Sequence, residues 1–432
     1  MIARLLLFAV AAACLLPHSP AHAQILAGTA KVDITPEPNT AFNLLSKPLA
    51  PNDQLFARIL VLKDPNTSIA IISVDACVFA SPEVSRQITQ RLGIKHVIQA
   101  ATHTHTGMSP NGMRIGGPEN RPDWTRAQIP PDQSINWESL NNDPWYRTTE
   151  QRIVAATQQA LENLFPAQLT GASGPFENAY MAHNRRLVTD KGVTMLWANP
   201  DRRTTSPIDP SLSILKVEDP LHKVRALAVI YACHPVTMMN SGTVSRDYPG
   251  AMVDAIEHHI GPDCLAMFLQ SASGDLDPFD LQNLRSKNRE NIANHAGKTL
   301  AHRAIELANL PNNAPQPTQL LIKESLVDLP NRSGNRSTPV NLLALQLPNQ
   351  ITLAAIPGEP FIQHQLDLRA ALPNLPNLAI LGLSYSGKGC PFLVYIPTEQ
   401  AVKEGGYGAT ECSFLAPNAG SQIIEHFKRM LR

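Results

Sequence analysis

Short runs of Ile, Val, Leu and Ala recur along the chain and alternate with stretches of helical period, which narrows the possible folds to one class. Leu55 to Leu62, Ser68 to Val74, Ile94 to Ala101, Leu212 to Val217, Val224 to Ala232 and Leu265 to Gln270 read as strands. So do Leu320 to Leu329, Leu342 to Leu347 and Ile351 to Ile356. Ser81 to Leu92, Thr148 to Leu164, Arg289 to Leu307, Phe361 to Ala371 and Gly420 to Leu431 place apolar residues on one face of a helix. The pattern predicts an α/β protein in which mixed β-sheets are flanked by helices. No internal repeat or low-complexity linker divides it, so residues 24–432 are expected to form one domain.

Charge removes several classes of partner. Lys plus Arg and Asp plus Glu both number 36, and the formal net charge is zero. A balanced chain without a basic block has no electrostatic reason to bind nucleic acid or an anionic membrane. The sequence leaves the oligomeric state open.

The first 23 residues have the form of a secretory signal. Arg4 gives the positive start, Leu5 to Leu16 the apolar core, and Ala21-His22-Ala23 the cleavage box. An alternative reading makes Ala13-Cys14 a lipoprotein cleavage site. Either implies export, to a periplasm or beyond, and no later run has the length of a transmembrane helix. Beyond Cys14 the chain holds Cys77, Cys233, Cys264, Cys390 and Cys412, an odd number that leaves at least one free thiol. Cys390 and Cys412 flank a loop and are a possible pair.

Polar residues with metal-binding or catalytic chemistry stand where the apolar runs end. His103 and His105 follow Ile94 to Ala101, and their spacing puts both on one side of an extended backbone. His234 follows Val224 to Tyr231, Glu359 follows Ile351 to Ile356, and Tyr395 follows Phe392-Leu393-Val394. Strand exits are where α/β proteins build their sites. Two imidazoles and a carboxylate form a set that zinc uses for catalysis, with a position left open. Each residue alone is also consistent with a core or packing role, and a Tyr such as Tyr395 more often packs. The segment Gly107 to Asp143, rich in Pro, Gly, Asn and Asp, reads either as a wall of the site or as a surface insertion.

The order of these motifs resembles the catalytic domain of the neutral/alkaline non-lysosomal ceramidases. The chain has Ala27-Gly28-Thr29-Ala30-Lys31-Val32-Asp33-Ile34-Thr35-Pro36 near its start and His103-Thr104-His105-Thr106-Gly107 next. His234, Gly274-Asp275-Leu276-Asp277-Pro278, Pro357-Gly358-Glu359 and Tyr395 to Thr398 follow. The likeness runs from about Leu26 to the C-terminus. It implies a zinc ion held by His103, His234, Glu359 and Tyr395. It implies oxyanion stabilisation by His105 and Tyr407, and substrate fixing by Arg185 in Asn184-Arg185. Asn184 and Asp275 join the site as substrate-binding residues, and the reaction implied is hydrolysis, by zinc-activated water, of an amide or ester in a small-molecule or amphipathic, lipid-like substrate.

Two departures bear on the chemistry. Asp277 stands where the family has a Ser needed for amide hydrolysis, so Asp277 is expected to carry a proton as general base or to bind a polar part of the substrate. The chain also ends soon after Tyr395, without the family's C-terminal β-sandwich. Both leave room for an ester, a lactone or an N-acyl sugar as substrate, and for a metal-stabilised binding protein without catalysis.

Overall fold

The computed structural model describes residues 25–38, 40–41, 48–50, 52–110, 137–176, 181–239, 241–279 and 288–432. The signal-like leader and residues 111–136 of the Gly107 to Asp143 segment lie outside the described residues.

In chain order the first elements are β1 (Leu26–Asp33), β2 (Phe56–Lys63), β3 (Ser68–Val74), α1 (Pro82–Gln90), β4 (His96–Ala101), α2 (Trp137–Asn141) and α3 (Pro144–Glu162). Next come β5 (Phe165–Pro166), β6 (Gln168–Pro175), β7 (Ala182–Asn184), β8 (Arg186–Thr189), β9 (Gly192–Met195), β10 (Ser211–Glu218) and β11 (Val224–Tyr231). Then follow α4 (Asp247–Ile260), β12 (Leu265–Gln270), β13 (Leu276–Pro278), α5 (Arg289–Ala308), β14 (Leu321–Pro330), β15 (Ser337–Leu347) and β16 (Ile351–Ala355). The last are β17 (Glu359–Pro360), α6 (Ile362–Ala371), β18 (Ala379–Leu381), β19 (Ser384–Tyr385), β20 (Tyr395–Ile396), α7 (Glu399–Glu404) and α8 (Ala419–Leu431).

Three sheets carry the fold. One runs β19-β4-β3-β2-β1-β5, a second β12-β11-β10-β6, and a third β14-β15-β16-β18. Each is mixed: β3 with β4, β11 with β12 and β16 with β18 are parallel, and the other pairs within the three sheets are antiparallel. Strand alternation decides what meets what. Ile69 and Ile71 of β3 face a central core shared with Ala228 and Ile230 of β11 and Leu343 and Leu345 of β15. Ala70, Ile72 and Val74, on the opposite face, pack under α1 and α3.

The outer faces of the other two sheets are covered in the same way. Leu227 and Val229 lie under α4 and α5, and Leu342 and Ala344 under α6 and α8. The expected α/β class, with mixed sheets flanked by helices, is the observed architecture. No helix among the described residues is long and apolar enough to cross a membrane.

Several elements depart from the sequence expectation for local reasons. Helix α4 is not marked by a clear apolar period, and Pro249 and Gly250 in its first turns read as breakers. Pro is tolerated there because the first turn's N–H groups have no intrahelical partner. Strand β6 contains Gly171 and Gly174 and lacks a β-branched run. The glycine has a tertiary cause, since a Cβ on Gly171 would lie 2.2 Å from the Gln350 carbonyl oxygen. Cys390 and Cys412 do not form the pair suggested above. Both are buried thiols outside any disulfide, as are Cys77, Cys233 and Cys264.

Candidate metal centre

The strand exits converge. β4 ends at Ala101, and the chain turns at once: Thr102 N–H bonds the Val74 carbonyl and His103 N–H the Ala76 carbonyl. His103 has φ of 68°, a left-handed conformation unusual for a residue with a Cβ. Such strain persists only where the surroundings impose it, and it gathers at functional sites. Thr104 anchors the turn by donating its hydroxyl to the Ser245 carbonyl at 2.7 Å. His234 follows β11 and ties back through its own N–H to the Leu276 carbonyl. Glu359 and Tyr395 are partners across the short parallel pair β17 and β20. Val394, just before Tyr395, is also left-handed, with φ of 56°.

Three of the four expected ligands bring one atom each to a common point. Glu359 Oε2 lies 3.3 Å from His103 Nε2 and 3.1 Å from His234 Nε2. All three residues are buried, and their ligand atoms lie within 4.8 Å of one another. In a tetrahedral zinc site with ligand distances of about 2.0–2.1 Å, neighbouring ligand atoms are separated by about 3.3–3.4 Å. The set fits a zinc ion in donor chemistry and in separation.

The far sides of the two rings are fixed by backbone. His103 Nδ1 is 2.7 Å from the Cys77 carbonyl oxygen and His234 Nδ1 is 3.0 Å from that of Leu276. A carbonyl only accepts, so each Nδ1 carries a proton, and Nε2 is the ring atom left facing the centre. Tyr395 is the fourth expected ligand. Its ring centroid is 6.4 Å from that of His234. Cys77, His103 and His105 also lie near one another, but the Cys77 sulfur faces His103 Nδ1, at 3.8 Å. That nitrogen is committed to the carbonyl, so Cys77 does not belong to the Nε2 cluster.

Electrostatics within the cluster is uneven. Burial pushes the His103 imidazolium down, but the Glu359 carboxylate overcomes it and holds His103 well above its ordinary range. Burial raises Glu359, and His103 and His234 outweigh it to hold the carboxylate well below its usual value. Burial first, and then the neighbouring His103 and His234 rings, keep His105 well below the usual histidine range. His105 is therefore a neutral ring at neutral pH, with Nε2 3.3 Å from His103 Nε2. Burial and then Glu359 raise the Tyr395 hydroxyl well above its ordinary value, against the pull of Arg185.

Arg185 is the second organising group. Its Nη2 donates to the Gly274 carbonyl at 2.7 Å and its Nη1 lies 3.2 Å from Asp277 Oδ1. The guanidinium carbon sits 5.3 Å from the ring centroid of Tyr395, 5.1 Å from Tyr407 and 5.5 Å from Trp197. Its Nε–H has no hydrogen-bond partner among the described residues.

The remaining expected residues occupy places that change their reading. Asp277 is buried between Arg185 and the Nδ1 side of His234, 3.7 Å from that nitrogen. This is the side turned away from the convergent Nε2, so the position suits holding Arg185 and His234 better than carrying a proton. Asp275, expected at the substrate, instead accepts from the Ile362 N–H that begins α6 and from Asn184 Nδ2. Asn184 spends its other Nδ2 bond on the Pro207 carbonyl and its Oδ1 on the Arg186 N–H. Both side chains are buried and internally satisfied, which is a bracket for β7, β13 and α6 rather than a substrate contact.

Gly274 belongs to the same bracket. A Cβ there would lie 2.4 Å from the Glu359 carbonyl oxygen. Gly274→Ala is expected to push β17 outward, cost about 1–3 kcal/mol in denaturant unfolding, and weaken zinc retention on dialysis.

Three participants carry no sequence signal of their own. The Cys77 and Leu276 carbonyls act through backbone, which residue type does not encode. Trp197 stacks edge-on against Tyr407 with centroids 5.1 Å apart, and in sequence it is a lone aromatic in a turn-rich stretch.

No protein-family model matches the chain, and no curated protein matches its sequence. Solved structures do. The neutral ceramidase from Pseudomonas aeruginosa has a TM-score of 0.73 over 94% of this chain and 74% of its own, at 18% identity. A ceramidase complexed with C2 has a TM-score of 0.72 at 16% identity, covering 94% of this chain and 75% of its own. Identity at this level carries architecture and leaves the chemistry to be argued from the residues. Three mixed sheets with helices outside them, and the motif order along the strands, give this chain the fold of the neutral ceramidases.

Proposed function

We propose that the protein is a zinc-dependent hydrolase that cleaves an amide or ester bond in a small or amphipathic molecule, and that it is exported. The observation that carries the reading is the meeting of His103 Nε2, His234 Nε2 and Glu359 Oε2, with the Nδ1 of both rings committed to backbone carbonyls.

His103, His234 and Glu359 would hold the zinc, with Tyr395 as a fourth ligand. Zinc, when bound, would supply Lewis acidity to a substrate carbonyl and a lowered pKa to water. The chain's own groups do the rest. Neutral His105 and the Tyr407 hydroxyl are hydrogen-bond donors at the partly open side of the centre, suited to the charge that grows on the carbonyl oxygen. Arg185 holds the Tyr395 and Tyr407 rings, and its guanidinium beside the centre suits fixing a polar part of the substrate. Asp277 fixes Arg185 and backs His234, a positioning role.

The test is metal removal. Dialysis against a strong chelator is expected to reduce hydrolysis of an amide and ester panel to below about a tenth, and stoichiometric zinc to restore it. Protein that holds one zinc and turns over no member of the panel would be a metal-stabilised binding protein instead.

A further inference from the structure

We infer that Trp197 is a specificity-determining residue: the shelf on which an apolar chain beside the scissile bond lies. The inference rests on the hydrolase reading of the metal centre.

The centre is closed on most sides. His103, His234, Glu359, Tyr395, Arg185 and Asp277 are all buried, whereas His105 and Tyr407 are partly exposed. Access therefore runs past His105 and Tyr407. Trp197 stands beyond Tyr407 on that route. Its ring meets the Tyr407 ring at 72°, and the Arg185 guanidinium lies 5.5 Å from its centroid. Trp197 is 48% exposed, and no other aromatic side chain among those described is in the exposed class.

This exposure belongs to a well-tied segment. Leu196 N–H donates to the Arg185 carbonyl at 2.7 Å, and His183 Nε2 lies 2.9 Å from the Leu196 carbonyl oxygen. Asn199 closes the turn with two bonds to Arg203, at 2.8 and 2.9 Å. The indole is thus carried on a segment tied to His183 and to Arg185, whose guanidinium lies beside the Tyr395 and Tyr407 rings.

A packing role explains the covered half of the ring, against Tyr407 and Arg185, but leaves the open half unexplained. A rigid apolar face kept wet beside a polar centre gains free energy when an apolar chain covers it. A flat indole does so at little cost in conformational entropy.

The experiment compares acetate with octanoate, two carboxylates that differ only in apolar length, on zinc-loaded wild type, Trp197→Phe and Trp197→Ala. Dissociation constants come from NMR titration or calorimetry, with zinc content as the folding control. Octanoate is expected to bind wild type about tenfold more tightly than Trp197→Ala, Trp197→Phe to fall within about threefold of wild type, and acetate to bind all three alike. Octanoate that binds wild type and Trp197→Ala equally overturns the shelf, as does octanoate that binds wild type no better than acetate. A parallel loss of both ligands in Trp197→Ala also overturns it, because the ring would then only support Arg185. Absence of amide and ester turnover with the octanoate difference intact would instead remove the hydrolase reading and leave the shelf standing.

Discussion

Glu359→Ala is expected to retain less than about a tenth of the wild-type zinc after dialysis and to lose more than about 100-fold in hydrolysis. Glu359 Oε2 is the atom that both histidines approach, and the only anionic donor in the cluster. Removing it leaves two neutral imidazole donors and, for Tyr395, a hydroxyl that burial already holds in its protonated form. Loss of an outer-shell partner typically costs about 10–100-fold in metal affinity or activity, so loss of a direct ligand should cost more.

His234→Ala should behave alike. His105→Ala should not: it is expected to keep its zinc while losing activity, because His105 is the partly exposed ring of the three and faces the access route. Metal analysis beside initial rates on the same preparations separates these cases. Full zinc occupancy in Glu359→Ala or His234→Ala would remove the proposed ligand set.

What the sequence carried, and what it withheld, follows from how local each determinant is. β3 is legible end to end because all seven of its residues are buried and four of them, Ile69, Ile71, Ile72 and Val74, are β-branched. α5 is legible because its buried residues, from Ala293 through Leu300, Ala304 and Leu307, repeat on one face. α4 hides behind Pro249 and Gly250, and β6 behind Gly171, which the distant Gln350 carbonyl requires, and Gly174. β17 and β20 are two residues each, too short for any periodicity, yet they bring Glu359 and Tyr395 side by side.

The site divides in the same way. His103, His234 and Glu359 were visible as metal-ligand types at strand exits, and their convergence was not; Tyr395 entered as a ligand only through the motif order. The roles of Asn184, Asp275 and Asp277 were not visible. Whether a carboxylate faces a ligand, a helix N-terminus or an arginine depends on contacts between residues about 90 positions apart in the chain, such as Asn184 with Asp275.

The largest stability effect is expected at Arg185 and Asp277, and it also tests how Asp277 works. Both side chains are buried and meet at 3.2 Å. Removing one partner of a buried pair strands the other without compensation, at a cost of about 3–5 kcal/mol. Arg185→Met and Asp277→Leu should each reach that range in denaturant unfolding, and Arg185→Met also frees the Tyr395, Tyr407 and Trp197 rings it now orders. The double variant should be more stable than the sum of the two losses, because it leaves no buried charge alone, and the difference measures their coupling.

Asp277→Asn separates position from chemistry. The amide keeps an acceptor for Arg185 and has no charge to take a proton. If Asp277 positions Arg185 and His234, Asp277→Asn lowers stability and turnover moderately, and the pH profile keeps its acid limb. If Asp277 is the proton carrier, turnover falls by about 10²–10⁴-fold at unchanged zinc and that limb disappears. The geometry favours the first outcome, because the carboxylate is engaged by a guanidinium and lies by His234 Nδ1, the nitrogen already committed to a backbone carbonyl. A carboxylate in place of a hydroxyl at this position then acts by pinning the arginine that spans the two tyrosines, and the proton must move through groups on the open side, His105 and Tyr407.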